Sequence, residues 1–232
     1  MEFIMIGSRQ RLATLETIPH LAIEGIPIKQ VHDTRSLGVQ IDETLQWDRH
    51  IDNISKTIAA GISAIKRCRA CLPNETLILL FNAVVKPHFD YCDIVWGNCS
   101  NTLASKLQKL QNRAARILTY SSYDTPTDTV LKKLGWSKLH RQRDYHLADM
   151  VFKSINGLAP TYLQEKCIDR KEICKYSIRD SNNKLSLPLP RTNYLKNSYS
   201  YKGAVLWNSL PSDTRAKTSI NDFRTSCKKY IL

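Results

Sequence analysis

The chain has 232 residues and a formal net charge of +13, with 42% hydrophobic and 24% charged residues. This composition belongs to a globular protein with a real core and excludes a disordered chain. The longest dense apolar stretch, residues 77–85, already includes Asn82, and a membrane span needs roughly 20 residues. The start, MEFIMIGSRQ, has no basic n-region and no small-residue cleavage site, so no secretory signal is expected. Seven cysteines without framework spacing point to a reducing, intracellular setting, nucleus or cytoplasm. The charge is unevenly placed: residues 1–99 hold 10 Lys and Arg against 11 Asp and Glu, whereas residues 100–232 hold 24 against 10. An excess confined to one half favours a polyanionic partner such as nucleic acid.

Short strands are expected over the first 45 residues. Phe3, Ile4, Met5 and Ile6 form an apolar run that stops at Gly7-Ser8, and Glu24-Gly25 can turn a hairpin between two apolar pairs. In the run from Leu37 to Ile41, Leu37, Val39 and Ile41 alternate onto one face of a strand. So few strands cannot close a core alone.

From Asp48 the period changes to that of a helix. Asp48 is read as the cap of a helix carrying Ile51, Ile54, Ile58, Ile62, Ile65 and Leu72, stopped by Pro73. Asn74 caps a second helix that Pro87 must kink or stop. Asn101 opens a third, reaching about residue 120. A fourth follows Thr125-Pro126 and closes at Gly135, and a fifth runs from Ser137 to the stop at Asn156-Gly157. Residues 166–200 read as loop or linker, and regular structure returns over 199–210 and 220–230. The expected fold class is therefore mainly α, a helical bundle preceded by a few short β-strands. Its expected regions are 1–46, 47–165 and a basic extension over 166–232 with one or two helices.

The third helix carries the clearest functional signal. Lys106, Lys109, Arg113 and Arg116 recur at spacings of 3, 4 and 3, which places them on one face. Leu103, Leu107, Leu110, Ala114 and Ile117 form a neighbouring apolar stripe, so the helix can bury one side and present four cations to phosphates. Lys132, Lys133, Arg141 and Arg143 lie close in sequence and extend the candidate nucleic-acid-binding set. Cys68 and Cys71 suggest a zinc site completed by His50 or His88. With no second such pair, the reading preferred is a pair of core thiols, with no metal site. The sequence contains no GxSxG, Walker or GxGxxG motif and no Asp-Asp dipeptide, and Asp90 and Asp93 are weak candidates for metal-ion chemistry. No catalytic residue and no cofactor is expected, and the chain is not read as an enzyme by itself.

Four blocks in order resemble the C-terminal part of non-LTR, LINE-type retrotransposon reverse transcriptases of the jockey and CR1 kind. They are EFIMIGS at 2–8, LGVQIDETLQWDRHIDNISK at 37–56, FNAVVKPHFDYCDIVWGNCS with LQKLQNRAARILT, and YKGAVLWNSLPSDTR with FRTSCKKYIL. The resemblance implies the end of a palm, whose sheet edge would be the short strands, followed by a thumb and a C-terminal extension. It also implies a truncated copy of a transposable element whose fingers, most of the palm and double aspartate lie outside the chain. The complete family enzyme would be an RNA-directed DNA polymerase using Mg2+, and its thumb would grip RNA, DNA or an RNA–DNA duplex. Two alternatives remain beside it. One is a non-catalytic helical interaction module. The other follows from LGVQIDETLQWDRHI, which is also similar to the N-terminal segment of AlkB-homologue tRNA-modifying oxygenases and methyltransferases, without the residues for their chemistry.

Overall fold

The computed structural model describes residues 2–15, 19–173 and 183–232. The protein is mainly helical, as the sequence pattern predicts, and its contacts divide it into two units. Met1–Cys92 and Cys99–Leu118 form the first, and Asp93–Asn98 and Thr119–Leu232 the second.

The first unit opens with short strands paired two by two. β1 (Glu2–Phe3) is shorter than the apolar run suggests, and a small helix, α1 (Arg9–Ala13), follows it. Then come β2 (Ala22–Ile23), β3 (Ile26–Pro27), β4 (Lys29–Gln30), β5 (Asp33–Ser36) and β6 (Val39–Asp42). β1 runs parallel to β4, while β2–β3 and β5–β6 are hairpins. Both hairpins turn on a residue–glycine pair with positive φ at both positions, Glu24-Gly25 and Leu37-Gly38, the geometry that matches strand twist. Leu37 is therefore a turn residue, 87% exposed, and not a strand position facing a core. A glycine partner was worth more to the backbone here than the alternation of Leu37 with Val39.

The entry into the helical part is organised by Asp42. Its carboxylate accepts hydrogen bonds from the backbone N–H of Thr44 (3.0 Å), Gln46 (3.1 Å) and Trp47 (2.8 Å), and from the Thr44 hydroxyl (2.7 Å). Trp47, left-handed at φ 69°, caps α2 (Asp48–Cys68), so Asp48 is the first helical residue and not the cap. Asp48 still favours the N-terminus of the helix through the macrodipole. The helix buries Ile51, Ile58, Ile62 and Ile65, leaves Ile54 half-buried, and ends four residues before Leu72.

α3 (Asn74–Leu80) continues into a π-helical segment, Phe81–Val85, and then α4 (Lys86–Asp90). Pro87 supplies the reason. Its ring would collide with the carbonyl of Ala83 in an α-helix and it has no N–H to give. The wider turn, in which the Lys86 N–H reaches Phe81 O, relieves both problems without ending the rod. The wide turn has a second benefit. Leu77, Phe81, Val85 and Phe89 are all buried at strict intervals of four. On an α-helix each such step drifts about 40°; the π segment takes part of that drift back.

After α5 (Asp93–Trp96), which belongs to the second unit, α6 (Asn101–Leu118) returns to the first and packs along α2. It buries Leu103, Leu107, Ala114, Ala115, Ile117 and Leu118. Leu110 is only half-buried; Gln111 takes a buried place instead, its side-chain oxygen accepting from Gln108 Nε2 at 2.6 Å.

The second unit contains α7 (Thr127–Lys133), α8 (Leu139–Ile155), α9 (Thr161–Gln164), α10 (Arg170–Ile173), α11 (Asn193–Lys196), α12 (Tyr199–Ser209), α13 (Ser212–Arg215) and α14 (Ile220–Ile231). The expected linker over 166–200 thus carries two short helices; its residues 174–182 lie outside those described. Phe152 of α8 stacks on Phe223 of α14 with ring centroids 4.4 Å apart, and Trp207 of α12 stacks on Phe223 at 5.7 Å. Gly203 lets α12 approach α8 closely: a Cβ there would stand 2.9 Å from Val151 Cγ2. Asn208 pairs with the backbone of Leu185 in both directions, accepting from its N–H at 2.8 Å and donating to its O at 2.9 Å. The Gly203-Ala204…Trp207-Asn208 pattern in the resembling tail is accordingly a packing signature.

Burial pushes the Asp42 carboxyl upward, but the bonds from Thr44, Gln46 and Trp47 outweigh it and hold the group below its usual value. A depressed folded-state pKa adds stability above the unfolded pKa, about 3.9, and that stability is lost as pH falls through the folded value. Asp42→Asn is expected to lower stability by about 1–3 kcal/mol at neutral pH. Denaturant titrations across acid pH should show the gap between parent and variant closing below the ordinary carboxylate range. A gap that is constant with pH would contradict this role.

Candidate nucleic-acid interface

Each unit carries part of the cationic set. In the first, the arc of α6 away from its buried stripe holds Lys106, Lys109 and Arg113, all exposed, with Arg116 half-buried. Lys106 is tied to α2 by an ion pair with Asp52, Nζ to Oδ1 2.6 Å, with both side chains about half exposed. Lys109 and Arg113 form no ion pair among the described residues and point their charge to solvent.

In the second unit, Lys132 and Lys133 close α7, where cations also complement the helix dipole. Arg141 is exposed on the first turn of α8. Arg143 is spent differently: it is half-buried, its guanidinium carbon 4.8 Å from the Trp96 ring centroid, a cation–π contact inside the unit. Gly97 leaves room for it, since a Cβ there would lie 3.1 Å from Arg143 Cδ.

Lys132 and Arg141 are brought together at a cavity of about 690 Å³, which Trp136, Lys138 and His140 also line. Lys138 pairs with Asp128 at 2.9 Å, and Ser137, expected to open the helix, donates instead to the carbonyl of Leu232 at 3.3 Å. Trp136, Lys138 and His140 are absent from the set read from the sequence. Their signal was the density of cations and one aromatic around the Gly135 stop, which brings the end of α7 and the start of α8 to one place.

Other basic residues of this half serve the fold. Arg224 holds Asp149 with two bonds, Nε to Oδ1 2.6 Å and Nη2 to Oδ2 3.2 Å, and Lys153 adds a third at 2.8 Å. Burial pushes the Asp149 carboxyl up, but these bonds prevail and hold it below the usual range. His146 Nδ1 meets the buried carboxylate of Asp93 at 2.6 Å, and Asp90 pairs with Lys86. Both aspartates weighed for metal chemistry are thus engaged by basic side chains.

Cys68 and Cys71 are exposed at the end of α2, not core thiols: Cys68, the last helical residue, lies off the stripe of buried isoleucines, and Cys71 comes after the helix has ended. Of the ligands proposed beside them, His50 is buried and its Nδ1 accepts from the Gln40 N–H at 3.3 Å.

Comparison with curated proteins gives two relatives. Over 149 residues, 63% of this chain and 15% of the relative, it is 26% identical to the "Probable RNA-directed DNA polymerase from transposon X-element" of Drosophila melanogaster. Over 136 residues, 55% of this chain and 15% of the relative, it is 23% identical to the "RNA-directed DNA polymerase from mobile element jockey" of Drosophila funebris. This chain is related to the jockey-like, non-LTR retrotransposon reverse transcriptases. It spans about 15% of the length of those polymerases. No family model matches, and no solved structure matches. No helix among the described residues is long and apolar enough to cross a membrane.

If Lys106 is a phosphate ligand held in reserve by Asp52, then Asp52→Asn should tighten binding to duplex at low salt and steepen its salt dependence by up to about one unit. Folding stability should change by less than about 1 kcal/mol, because the pair is exposed. Anisotropy titrations over a salt series check both; unchanged affinity would mean that Lys106 is structural.

Proposed function

We propose that this chain is the thumb region and C-terminal extension of a non-LTR retrotransposon reverse transcriptase, and that it holds a nucleic-acid duplex by its phosphates. The observation that carries the reading is α6. One side of this helix is buried, and the other offers Lys109 and Arg113, 4 residues apart and without an ion pair among the described residues, with Lys106 beside them. Cations in such a row follow a phosphate backbone and release its counterions, which gives affinity without sequence preference. The named activity of the relatives and the +14 balance of residues 100–232 support the same reading.

In this reading the chain grips and does not polymerise. Nucleotidyl transfer with two metal ions needs clustered carboxylates. The sequence contains no Asp-Asp dipeptide. Purified protein should therefore extend a primer on an RNA template with Mg2+ no better than a no-protein control. Incorporation above that background would overturn this part of the proposal.

The binding itself is tested by salt. Affinity for an RNA–DNA or DNA duplex should fall linearly in log–log form, and the double variant Lys109→Gln/Arg113→Gln should flatten the slope by up to about 2 units, near 0.9 per phosphate contact. Helicity should persist because Gln is close to Lys and Arg in helix propensity. A helical interaction module whose charge serves only solubility predicts feeble binding and a slope indifferent to both residues.

A further inference from the structure

The duplex reading leaves the cavity of the second unit without a task. It is walled by the end of α7, the turn through Gly135 and Trp136, the start of α8 and Leu232. At about 690 Å³ it is of the size that takes a small molecule or a single nucleotide, and a duplex cannot enter it. Its lining is unusual in pairing a flat aromatic ring with several cations. Trp136 is half-buried, and Lys132 and Arg141 stand at the same cavity with no ion pair among the described residues. Lys138 is paired with Asp128.

From this juxtaposition we infer that the cavity seats one unpaired nucleotide of a single strand, with its base against Trp136 and its phosphate on Lys132 and Arg141. A base still stacked in a helix cannot reach a recessed ring; one that has left its stack can, and every base has a π-face to offer. Lys132 and Arg141 then meet the backbone phosphate beside that base. Among the described residues Asp128 is the one acidic side chain that lines the cavity, and it is held by Lys138, so recognition is tolerant of base identity. This inference rests on the nucleic-acid reading above and adds single-strand binding to it.

The test uses the full chain, a fluorescent oligo-dT of about eight nucleotides, a blunt mixed-sequence duplex, and thymidine monophosphate as competitor. Trp136→Leu should weaken single-strand binding about tenfold and leave duplex binding within twofold. Trp136→Phe should retain most of the affinity because it keeps a stacking surface. Lys132→Gln/Arg141→Gln should weaken oligo-dT binding and flatten its salt dependence, while Lys109→Gln/Arg113→Gln should act chiefly on the duplex. Competition by the monophosphate that is lost in Trp136→Leu would locate recognition in one nucleotide and support the site. If Trp136→Leu fails to fold by circular dichroism, the phenylalanine variant and the double glutamine variant decide. Oligo-dT binding that is unaltered in folded cavity variants overturns the inference and leaves the duplex reading intact. A parent protein that binds neither probe overturns both.

Discussion

The packing of α6 against α2 is the constraint on which the first unit depends. A helix that shows a row of cations to solvent has little stability of its own, because like charges on one face repel and isolated helices of this length are marginal. α6 is held by what it buries: Leu103, Leu107, Ala114, Ile117 and Leu118 are buried on the helix, which packs against α2 and α3. Each fully buried aliphatic side chain contributes roughly 1.5–3 kcal/mol. Small residues at positions 114 and 115 keep the helices close, and Gly61 plays the same part on α2, where a Cβ would stand 2.8 Å from Val85 Cγ2.

Positive charge in this protein does two kinds of work, and burial separates them. Arg143 on Trp96, Arg224 and Lys153 on Asp149, and Lys138 on Asp128 consume their charge internally. Lys109, Arg113, Lys132 and Arg141 do not. A net charge counts both kinds alike, which is why +13 indicates a polyanionic partner but cannot say which residues would touch it. The answer depends on tertiary neighbours such as Asp149, 75 residues away from Arg224.

What was legible in the sequence follows the range of the forces involved. The long amphipathic helices, the Gly135 and Gly157 stops and the Glu24-Gly25 hairpin are local, and periodicity or turn chemistry reveals them. The errors arise where a distant or competing requirement wins. Leu37 has the alternation of a strand residue, yet Gly38 after it makes a better turn. Asp48 looks like a cap, but Asp42, five residues before the cap Trp47, already satisfies the backbone N–H groups there. Cys68 and Cys71 follow closely on the apolar run of α2, but at 100° per residue both lie off its buried stripe, and the helix ends at Cys68. The π segment had a sequence trace in the strict spacing of Leu77, Phe81, Val85 and Phe89 on either side of Pro87. The cavity left a partial trace, the cations and one aromatic around Gly135, but nothing in the sequence brings Leu232 to it, 95 positions beyond Ser137.

The π segment also bears on how this part of the chain tolerates changes in length. A π turn is an α-helix carrying one surplus residue, with the helix on each side kept in phase as though that residue were missing. Removing one residue within 81–85 would keep Phe89 facing the core, with the clash of Pro87 against the carbonyl four residues before it left to a local kink. A deletion of the same size in α2 would rotate every later isoleucine by about 100° and unseat the packing. The stretch before Pro87 is thus the place in the first unit's helices where a one-residue gain or loss can be absorbed locally. Homologous chains that differ by a single residue here would keep the same buried face.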